Sequence, residues 1–229
     1  MREHFSSWMA TQSTEHKDVM TTIRDLNMET SLRVFCGARI GPAAVKEITE
    51  KYWKITLALE LVNFPLALPG TKVYNAIQAR KLTMVHLEAA AQASKDAMRA
   101  GEEPSCLVDQ WVSEMLQAPE GSKTKTDFSN HEISQVVLSF LFASQDAMSS
   151  GTIYLFQHLA DRPEILAKIR AEHATVRSDP SVPLTLEMLD QMDYLKAVVK
   201  ESLRLKPPVT MVSTSTLFTH SPLLSGFNG

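Results

Sequence analysis

Glu201 and Arg204 are the residues of this chain whose types and spacing most directly suggest a defined interaction. Residues three apart on a helix are neighbours on one face, so the carboxylate and the guanidinium can pair. Pro207 and Pro208 follow closely, and because proline cannot continue a helix, the pair is predicted to lie in a last turn. When solvated, such a pair contributes roughly a few tenths of a kcal/mol. The opposite helix face carries the predicted apolar stripe of Leu195, Val198, Val199 and Leu203.

A second candidate is Asp146, a carboxylate in the middle of a long apolar helix. Ser129 and Glu132 match a capping box, and the helix is predicted to run from there for about 30 residues, or about 45 Å. Its first half is apolar nearly all round, which predicts burial on most sides. A carboxylate in such a helix must be solvated, paired or neutral. Two interpretations therefore stay open, an exposed rim position or a polar notch beside a cofactor or water chain.

The elements that would position these residues are all predicted to be helical. No segment alternates as a strand, and turn residues separate the helical runs. The fold class is therefore mainly α. The predicted helices cover residues 1–30, 42–63, 73–99, a short run capped by Ser105, the long helix after 129, a run from 163, a short one after 185, and the helix of Glu201.

Composition excludes several classes of function. A chain of 229 residues with 44% hydrophobic residues can bury a core in one or two domains. The net charge of -3 gives no indication of nucleic-acid binding. Cys36 and Cys106 have no metal-site spacing and are interpreted as reduced, buried thiols, so no metal site is predicted. No signal peptide or membrane anchor is recognised in the sequence.

Three segments, taken in order, resemble one known family. They are Phe142-Ala143-Ser144-Gln145-Asp146-Ala147, then Asp161-Arg162-Pro163-Glu164, and then Leu189 to Leu195 leading into Glu201-x-x-Arg204 and Pro207-Pro208. Their order and spacing resemble the distal helix, the helix after it and the Glu-x-x-Arg helix of cytochrome P450. Residues 35–37, 58–65 and 144–147 are most similar to the sterol C-22 desaturases of ergosterol biosynthesis.

The resemblance implies a partial cytochrome P450 helical fold, up to and including the Glu-x-x-Arg helix and without the heme-thiolate loop. Residues 1–212 are expected to form this partial domain. Residues 213–229 look like a non-family tail, because no charged residue occurs from Val209 to Gly229. We hypothesise that this tail is disordered or is intron read-through.

The resemblance also assigns roles to individual residues. Asp146 would be the catalytic acid that relays protons, and Ala143 and Ala147 would face the heme. Glu201 and Arg204 would be buried on the proximal side and would be structural for heme incorporation.

Two further parts of the implied site are less regular. Val209, Met211 and Val212 would line the substrate cavity. Ala147 stands where the family usually has a threonine, so the relay lacks its usual hydroxyl, and Ser144 or Ser149 would have to substitute.

The implied function is introduction of a double bond into a sterol side chain, using heme, O2 and electrons from NADPH-cytochrome reductase at the cytosolic face of the endoplasmic reticulum. The chain itself is expected to be an inactive fragment, since neither Cys36 nor Cys106 lies in a heme-ligand context. A fragment of another cytochrome P450 hydroxylase and a non-enzymatic helical interaction domain remain as alternatives.

Overall fold

The computed structural model describes residues 19–57, 67–119 and 127–208, and every regular element among them is helical, which confirms the mainly α fold class. The predicted helical residues 1–18 and 58–63 lie outside this part. The helices are α1 (Val19–Cys36), α2 (Pro42–Leu57), α3 (Lys72–Arg99), α4 (Leu107–Gln117), α5 (Asn130–Asp161), α6 (Pro163–Val176), α7 (Leu186–Asp190) and α8 (Asp193–Leu205), with a 3-10 helix at Gly37–Arg39.

Capping side chains explain where two of these helices begin. In the predicted capping box of α5, the Ser129 N–H donates to Glu132 Oε2 at 2.8 Å and the Glu132 N–H donates to Ser129 Oγ at 3.2 Å. The predicted N-cap residue of α4, Ser105, was wrong. Cys106 caps this helix, because its sulfur accepts from the Asp109 N–H, whereas Ser105 uses its hydroxyl to bind the Asp109 carboxylate.

Residues up to Ile153 form a first compact unit with a continuous apolar core. Helices α1 to α5 all contribute to it, and burying each large aliphatic side chain stabilises the fold by about 1.5–3 kcal/mol. This core fixes the helices that carry the polar residues of the candidate site. Its fully buried members include Met28, Leu32, Ile48, Tyr52, Leu87, Val112, Ile133 and Leu141.

Residues from Tyr154 onward form a second compact unit. Within it, Glu172 of α6 accepts two hydrogen bonds at the start of α8, from the N–H of Tyr194 at 2.7 Å and from the N–H of Leu195 at 2.9 Å. The first N–H groups of a helix have no partner within the helix, and a carboxylate there also complements the helix dipole. Glu172 therefore anchors the helix that carries the predicted ion pair.

The buried stripe of α5 changes from apolar to polar along the helix. Ile133, Val137 and Leu141 are buried at intervals of four residues, and the same ridge continues with buried Gln145 and Ser149. The apolar part belongs to the core of the first unit. The polar part requires hydrogen-bonding partners from a neighbouring helix.

The opposite face of α5 is open in this structure, so the prediction that its first half is buried on most sides was wrong. Val136 is 39% exposed and Phe140 is 55% exposed, although Phe140 stacks on Phe35. Ala143 is exposed as well. An apolar composition all round a helix indicates that both faces avoid water in some context, but it does not say which partner covers each face.

Candidate functional site

A polar seam joins α1 to α5 where the buried stripe of α5 becomes polar. Arg24 Nη2 donates to Asp146 Oδ1 at 2.5 Å. The side-chain amide of Gln145 donates to the backbone carbonyl of Arg24 at 2.6 Å. Asn27 Nδ2 donates to Ser149 Oγ at 3.0 Å. These contacts between the two helices fix how α1 is rotated against α5.

The polar seam borders a cavity of about 410 Å³ between α1, α2 and α5. Gln145 is buried beside it, and Gln145 Oε1 has no hydrogen-bond partner among the described residues. The cavity is large enough for several water molecules, but Gln145 Oε1 itself is fully buried. On the α2 side, burial raises the pKa of the Tyr52 hydroxyl, and the negative charge of Asp146 raises it further.

Asp146 lies between the buried and the open face of α5. Each helical residue is rotated by about 100° from the one before it. Asp146 is therefore one step from Gln145 on the cavity side and one step from Ala147 on the open side. Its side chain remains 44% exposed despite the bond to Arg24. The position combines both interpretations left open above, a rim and a polar notch, and the role of Asp146 in proton relay stays a prediction.

The two alanines predicted to face heme lie on the open face of α5. Ala143 is exposed and Ala147 is half-buried. Together with Val136 and Phe140 they follow the spacing of one helical stripe. The structure thus places these four residues on one apolar surface. The contact of the two alanines with heme remains a prediction.

The serines considered as substitutes for the missing hydroxyl are both bonded to their own helix. Ser144 Oγ donates to the Leu141 carbonyl at 3.3 Å, and Ser149 Oγ donates to the Gln145 carbonyl at 2.6 Å. Ser149 is also buried on the α1 side of the helix. Each hydroxyl keeps its oxygen lone pairs as acceptors, and a role of either serine in the relay through water stays a prediction.

Glu201 and Arg204 form the predicted ion pair through two parallel hydrogen bonds of 2.7 Å. The hydrogen bond from Arg204 holds the pKa of Glu201 below its usual range. The two side chains are 54% and 68% exposed, so the burial implied by the family resemblance is not present within this chain. The apolar stripe also differs from the prediction. Buried Ser202 continues the row from Leu195, whereas Leu203 is 42% exposed.

Several predicted residues lie outside the part of the chain that the structure describes. These include the predicted substrate-lining residues Val209, Met211 and Val212 and the predicted tail at 213–229. Their assignments stay predictions.

Among the described residues, sequence reasoning missed the most deeply buried ionic cluster, which centres on Asp109 of α4. Arg39 donates to both carboxylate oxygens at 3.1 Å, and the hydroxyl of Ser94 donates at 2.5 Å. Burial opposes ionisation of Asp109, but the hydrogen bonds from Arg39, Ser94 and Ser105 outweigh it and hold the pKa of this carboxyl well below its usual range. The cluster ties the 3-10 helix to α3 and α4, and its carboxylate is fully buried.

The two cysteines are free thiols with raised pKa values. Cys36 and Cys106 are free, Cys36 is buried as expected and Cys106 is only half-buried. Burial raises the pKa of Cys36 to about 12 and also raises the pKa of Cys106, so both thiols are protonated at neutral pH. Within the described residues, no group of His, Cys, Asp and Glu side chains is arranged to hold a metal ion. No described helix has an apolar run long enough to cross a bilayer.

Comparison with known proteins decides the family. The family model for cytochrome P450 matches residues 1–219. The chain belongs to the cytochrome P450 family. Members of this family bind heme. The resemblance inferred from the motifs around Asp146 and Glu201 is thereby confirmed.

Three curated relatives place this cytochrome P450 chain more closely. It is 42% identical to the C-22 sterol desaturase of Saccharomyces cerevisiae over 83% of this chain and 36% of that protein. It is 42% identical to the C-22 sterol desaturase of Candida albicans over 86% of this chain and 40% of that protein. It is 41% identical to a cytochrome P450 monooxygenase of Emericella variicolor over 92% of this chain and 43% of that protein. The chain therefore spans less than half the length of these relatives.

A solved structure supports the same fold. The cytochrome P450DA heme domain matches with a TM-score of 0.66 over 89% of this chain and 43% of that chain, at 17% sequence identity. At this identity the match concerns the fold, and it confirms that the helices described above form a partial cytochrome P450 fold.

Proposed function

We propose that this chain supplies the distal helices of a sterol C-22 desaturase, which introduces a double bond into a sterol side chain. The observation that carries the proposal is the 42% identity to two C-22 sterol desaturases over more than four-fifths of the chain. The cytochrome P450 fold of the described residues is compatible with it.

The open face of α5 fits one side of a heme group. Small side chains at Ala143 and Ala147 leave space there, while exposed Val136 and Phe140 extend the same apolar strip. A flat apolar cofactor would cover this strip, which otherwise stays in contact with water. The iron ligand has a different origin, because Cys36 lies in the apolar core of the first unit and Cys106 caps α4. In this proposal the ligand comes from sequence beyond this chain, and the chain alone does not assemble the active center.

Bound heme supplies the activation of O2 and the removal of hydrogen from the substrate. The residues of this chain have supporting roles. Ala143 and Ala147 would leave room beside a bound heme for O2 and substrate. Asp146 would accept and release a proton at its carboxylate oxygens, because it lies between the cavity and the open face of α5. Glu201 and Arg204 hold the segment that packs against α8 in the complete protein.

A second candidate is a cytochrome P450 hydroxylase. The monooxygenase of Emericella variicolor is 41% identical to this chain, about as similar as the desaturases are. Both candidates would share the partial fold and the residue roles given above. They differ in the product that leaves the site.

The two candidates are separated by the mass of the product. The complete protein, reconstituted with NADPH-cytochrome reductase and a sterol with a saturated side chain, is analysed by gas chromatography and mass spectrometry. A desaturase yields a product lacking two hydrogens, and a hydroxylase yields one that has gained an oxygen. Absence of both products with sterols, alongside turnover of a different apolar substrate, would refute the desaturase proposal.

Partners and location follow from the same proposal. The electron donor would be NADPH-cytochrome reductase, and the site of action would be the cytosolic face of the endoplasmic reticulum. Fractionation of cells that produce the tagged complete protein tests the location, and recovery away from that membrane would contradict it.

The domain boundary is a separate proposal. We place the cytochrome P450 part at residues 1–212 and a non-family tail at 213–229, with the boundary seven residues before the end of the family match at residue 219. Sequencing the transcript across the codons for Met211 to Thr216 tests this boundary. A message that skips the tail and continues to a cysteine-containing heme loop supports it, whereas a message that encodes the tail as printed contradicts the intron hypothesis.

A further inference from the structure

We propose that Arg24 is a positioning residue for Asp146, holding its carboxylate at the edge of the cavity between α1, α2 and α5 so that it exchanges protons with water there. The inference deepens the proposed function and rests on it, because it concerns the proton relay of the same site. Arg24 lies 122 positions before Asp146, on a helix to which the sequence analysis assigned no role.

Neighbouring hydrogen bonds hold Arg24 in position for its contact with Asp146. Arg24 Nη2 reaches Asp146 Oδ1 at 2.5 Å, and Gln145 holds the backbone of Arg24 through its carbonyl at 2.6 Å. One helical turn further along each helix, Asn27 binds Ser149. The helix that carries the guanidinium is therefore held against α5 at two neighbouring residues, Arg24 and Asn27. A side chain whose partners are themselves held in place keeps one orientation with little loss of entropy at the moment of reaction.

The cavity places water within reach of this contact. Asp146 and Gln145 both line it, together with the hydroxyl-bearing Thr49 and Thr56 of α2. The Asp146 side chain is 44% exposed, and the cavity beside it, of about 410 Å³, has room for several water molecules. A charged carboxylate retains hydrogen-bonded water, so water in the cavity lies next to the carboxylate that Arg24 holds.

The resulting relay is balanced in protons. A carboxylate oxygen of Asp146 takes a proton from water on the cavity side and gives it to water on the open side of α5, so the carboxylate ends as it began. Arg24 takes no part in the transfer. Its effect is to keep the carboxylate at the boundary of the two faces, since the Asp146 side chain is 44% exposed and would otherwise be free to choose another rotamer.

The test compares four variants of the complete heme protein. Asp146→Asn removes the relay, Arg24→Gln removes the positioning charge, and Arg24→Lys keeps the charge without the planar guanidinium. Arg33→Gln is the matched control, because Arg33 lies on the same helix and is 72% exposed in a pair with Glu29. Two quantities are measured. The first is the amount of product formed per NADPH consumed by the heme-loaded protein, and the second is carbodiimide labelling of Asp146 by peptide mass spectrometry. The labelling needs neither heme nor turnover.

We expect Arg24→Gln to lower product per NADPH by about tenfold, close to the effect of Asp146→Asn, and Arg24→Lys by about twofold. Labelling of Asp146 should rise several-fold in Arg24→Gln, and Arg33→Gln should match the wild type in both measurements.

The outcomes separate this inference from the proposed function. If Asp146→Asn lowers product per NADPH while Arg24→Gln does not, the positioning role is overturned and the relay stands. If Asp146→Asn has no effect, the relay is overturned, and the role of Arg24 with it. If Arg24→Gln fails to incorporate heme, Arg24→Lys decides, and a wild-type value for that variant overturns the positioning role.

Discussion

Two arginine–carboxylate pairs in this chain have similar hydrogen bonds and opposite surroundings. Arg39 and Asp109 are 16% and 0% exposed, whereas Arg204 and Glu201 are 68% and 54% exposed. Asp109 also accepts hydrogen bonds from other side chains, so its pair belongs to the packing of the first unit. The Glu201 pair contacts solvent on a helix end. The comparison indicates that the first pair maintains the fold and that the second contributes little to the folding of this chain.

The energetic consequences of the two settings differ. Removing one partner of a buried pair leaves an uncompensated charge in a medium that solvates it poorly, which costs about 3–5 kcal/mol. Removing one partner of an exposed pair costs roughly 0–1 kcal/mol, because water replaces the lost contact. The same residue types therefore predict opposite mutational effects within this one chain.

The largest effect is expected from Asp109→Ala. It removes the carboxylate that accepts from Ser94, Ser105 and the half-buried Arg39, and Arg39 keeps only Glu102 at 2.9 Å, so the free energy of unfolding of the chain should fall by about 3 kcal/mol. Urea denaturation followed by circular dichroism measures this change. Asp96→Ala is the control, since Asp96 is 62% exposed on α3, where it contacts Arg99 at 3.7 Å and accepts a hydrogen bond from Gln92 at 2.8 Å, and it should change the free energy of unfolding by less than about 0.5 kcal/mol. Equal losses in the two variants would remove the distinction between buried and exposed pairs.

Acid should weaken the buried pair in a specific pH range. The pKa of Asp109 is depressed in the folded state, so its contribution to stability is present above the unfolded-state pKa of about 3.9 and is lost as the pH falls towards the folded-state pKa. We expect the urea midpoint of the wild type to fall below about pH 4. Asp109→Asn, which does not titrate, should show a flatter pH dependence over the same range. Parallel curves for both proteins would contradict this explanation.

A smaller effect is expected at the turn that aims Arg39 at Asp109. Gly37 has a φ of +55°, and a Cβ added there would lie 2.9 Å from Cβ of Cys106. Gly37→Ala should therefore destabilise the chain by about 1–3 kcal/mol through strain and displacement of α4. Gly41→Ala is the control, because no atom lies within 4 Å of a Cβ at that position. A Gly37→Ala chain as stable as the Gly41→Ala chain would show that the turn tolerates a side chain.

The smallest effect on stability is expected from Glu201→Ala in the 229-residue chain. Its pair with Arg204 is exposed on both sides, so the free energy of unfolding should stay within experimental error of the wild-type value, because water replaces the lost contact. The urea midpoint provides the measurement. A loss as large as that of Asp109→Ala would mean that the pair already stabilises this chain.

Local signals in the sequence predicted much of this molecule. The capping box at Ser129 and Glu132 predicted the start of α5, and the proline pair predicted that Glu201 and Arg204 lie at a helix end. These predictions succeeded because caps and proline act over a few residues. The choice of Ser105 over Cys106 as the α4 cap failed, since a nearby buried carboxylate competes for the serine hydroxyl.

Contacts between distant residues could not be predicted in the same way. Arg39 and Asp109 are 70 positions apart, and Arg24 and Asp146 are 122 apart. Helical periodicity relates residues three or four positions apart, so it does not predict which residues at these separations come into contact. One signal was present: Gln145 and Ser149 continue the four-residue ridge of Leu141, so the buried face of α5 had to become polar and needed partners. The open apolar face of α5 was mistaken for core because composition does not identify what covers a surface.

The most direct test of the central claim, that the exposed pair belongs to the heme site of the complete protein, is the reduced carbon monoxide difference spectrum of that protein with Glu201→Ala. The account predicts folded protein without thiolate-ligated heme, although the same substitution leaves the 229-residue chain nearly as stable as the wild type. Glu164→Ala, at an exposed position of α6, should retain the wild-type spectrum. A wild-type spectrum for Glu201→Ala would contradict the account and leave the pair as an ordinary surface contact.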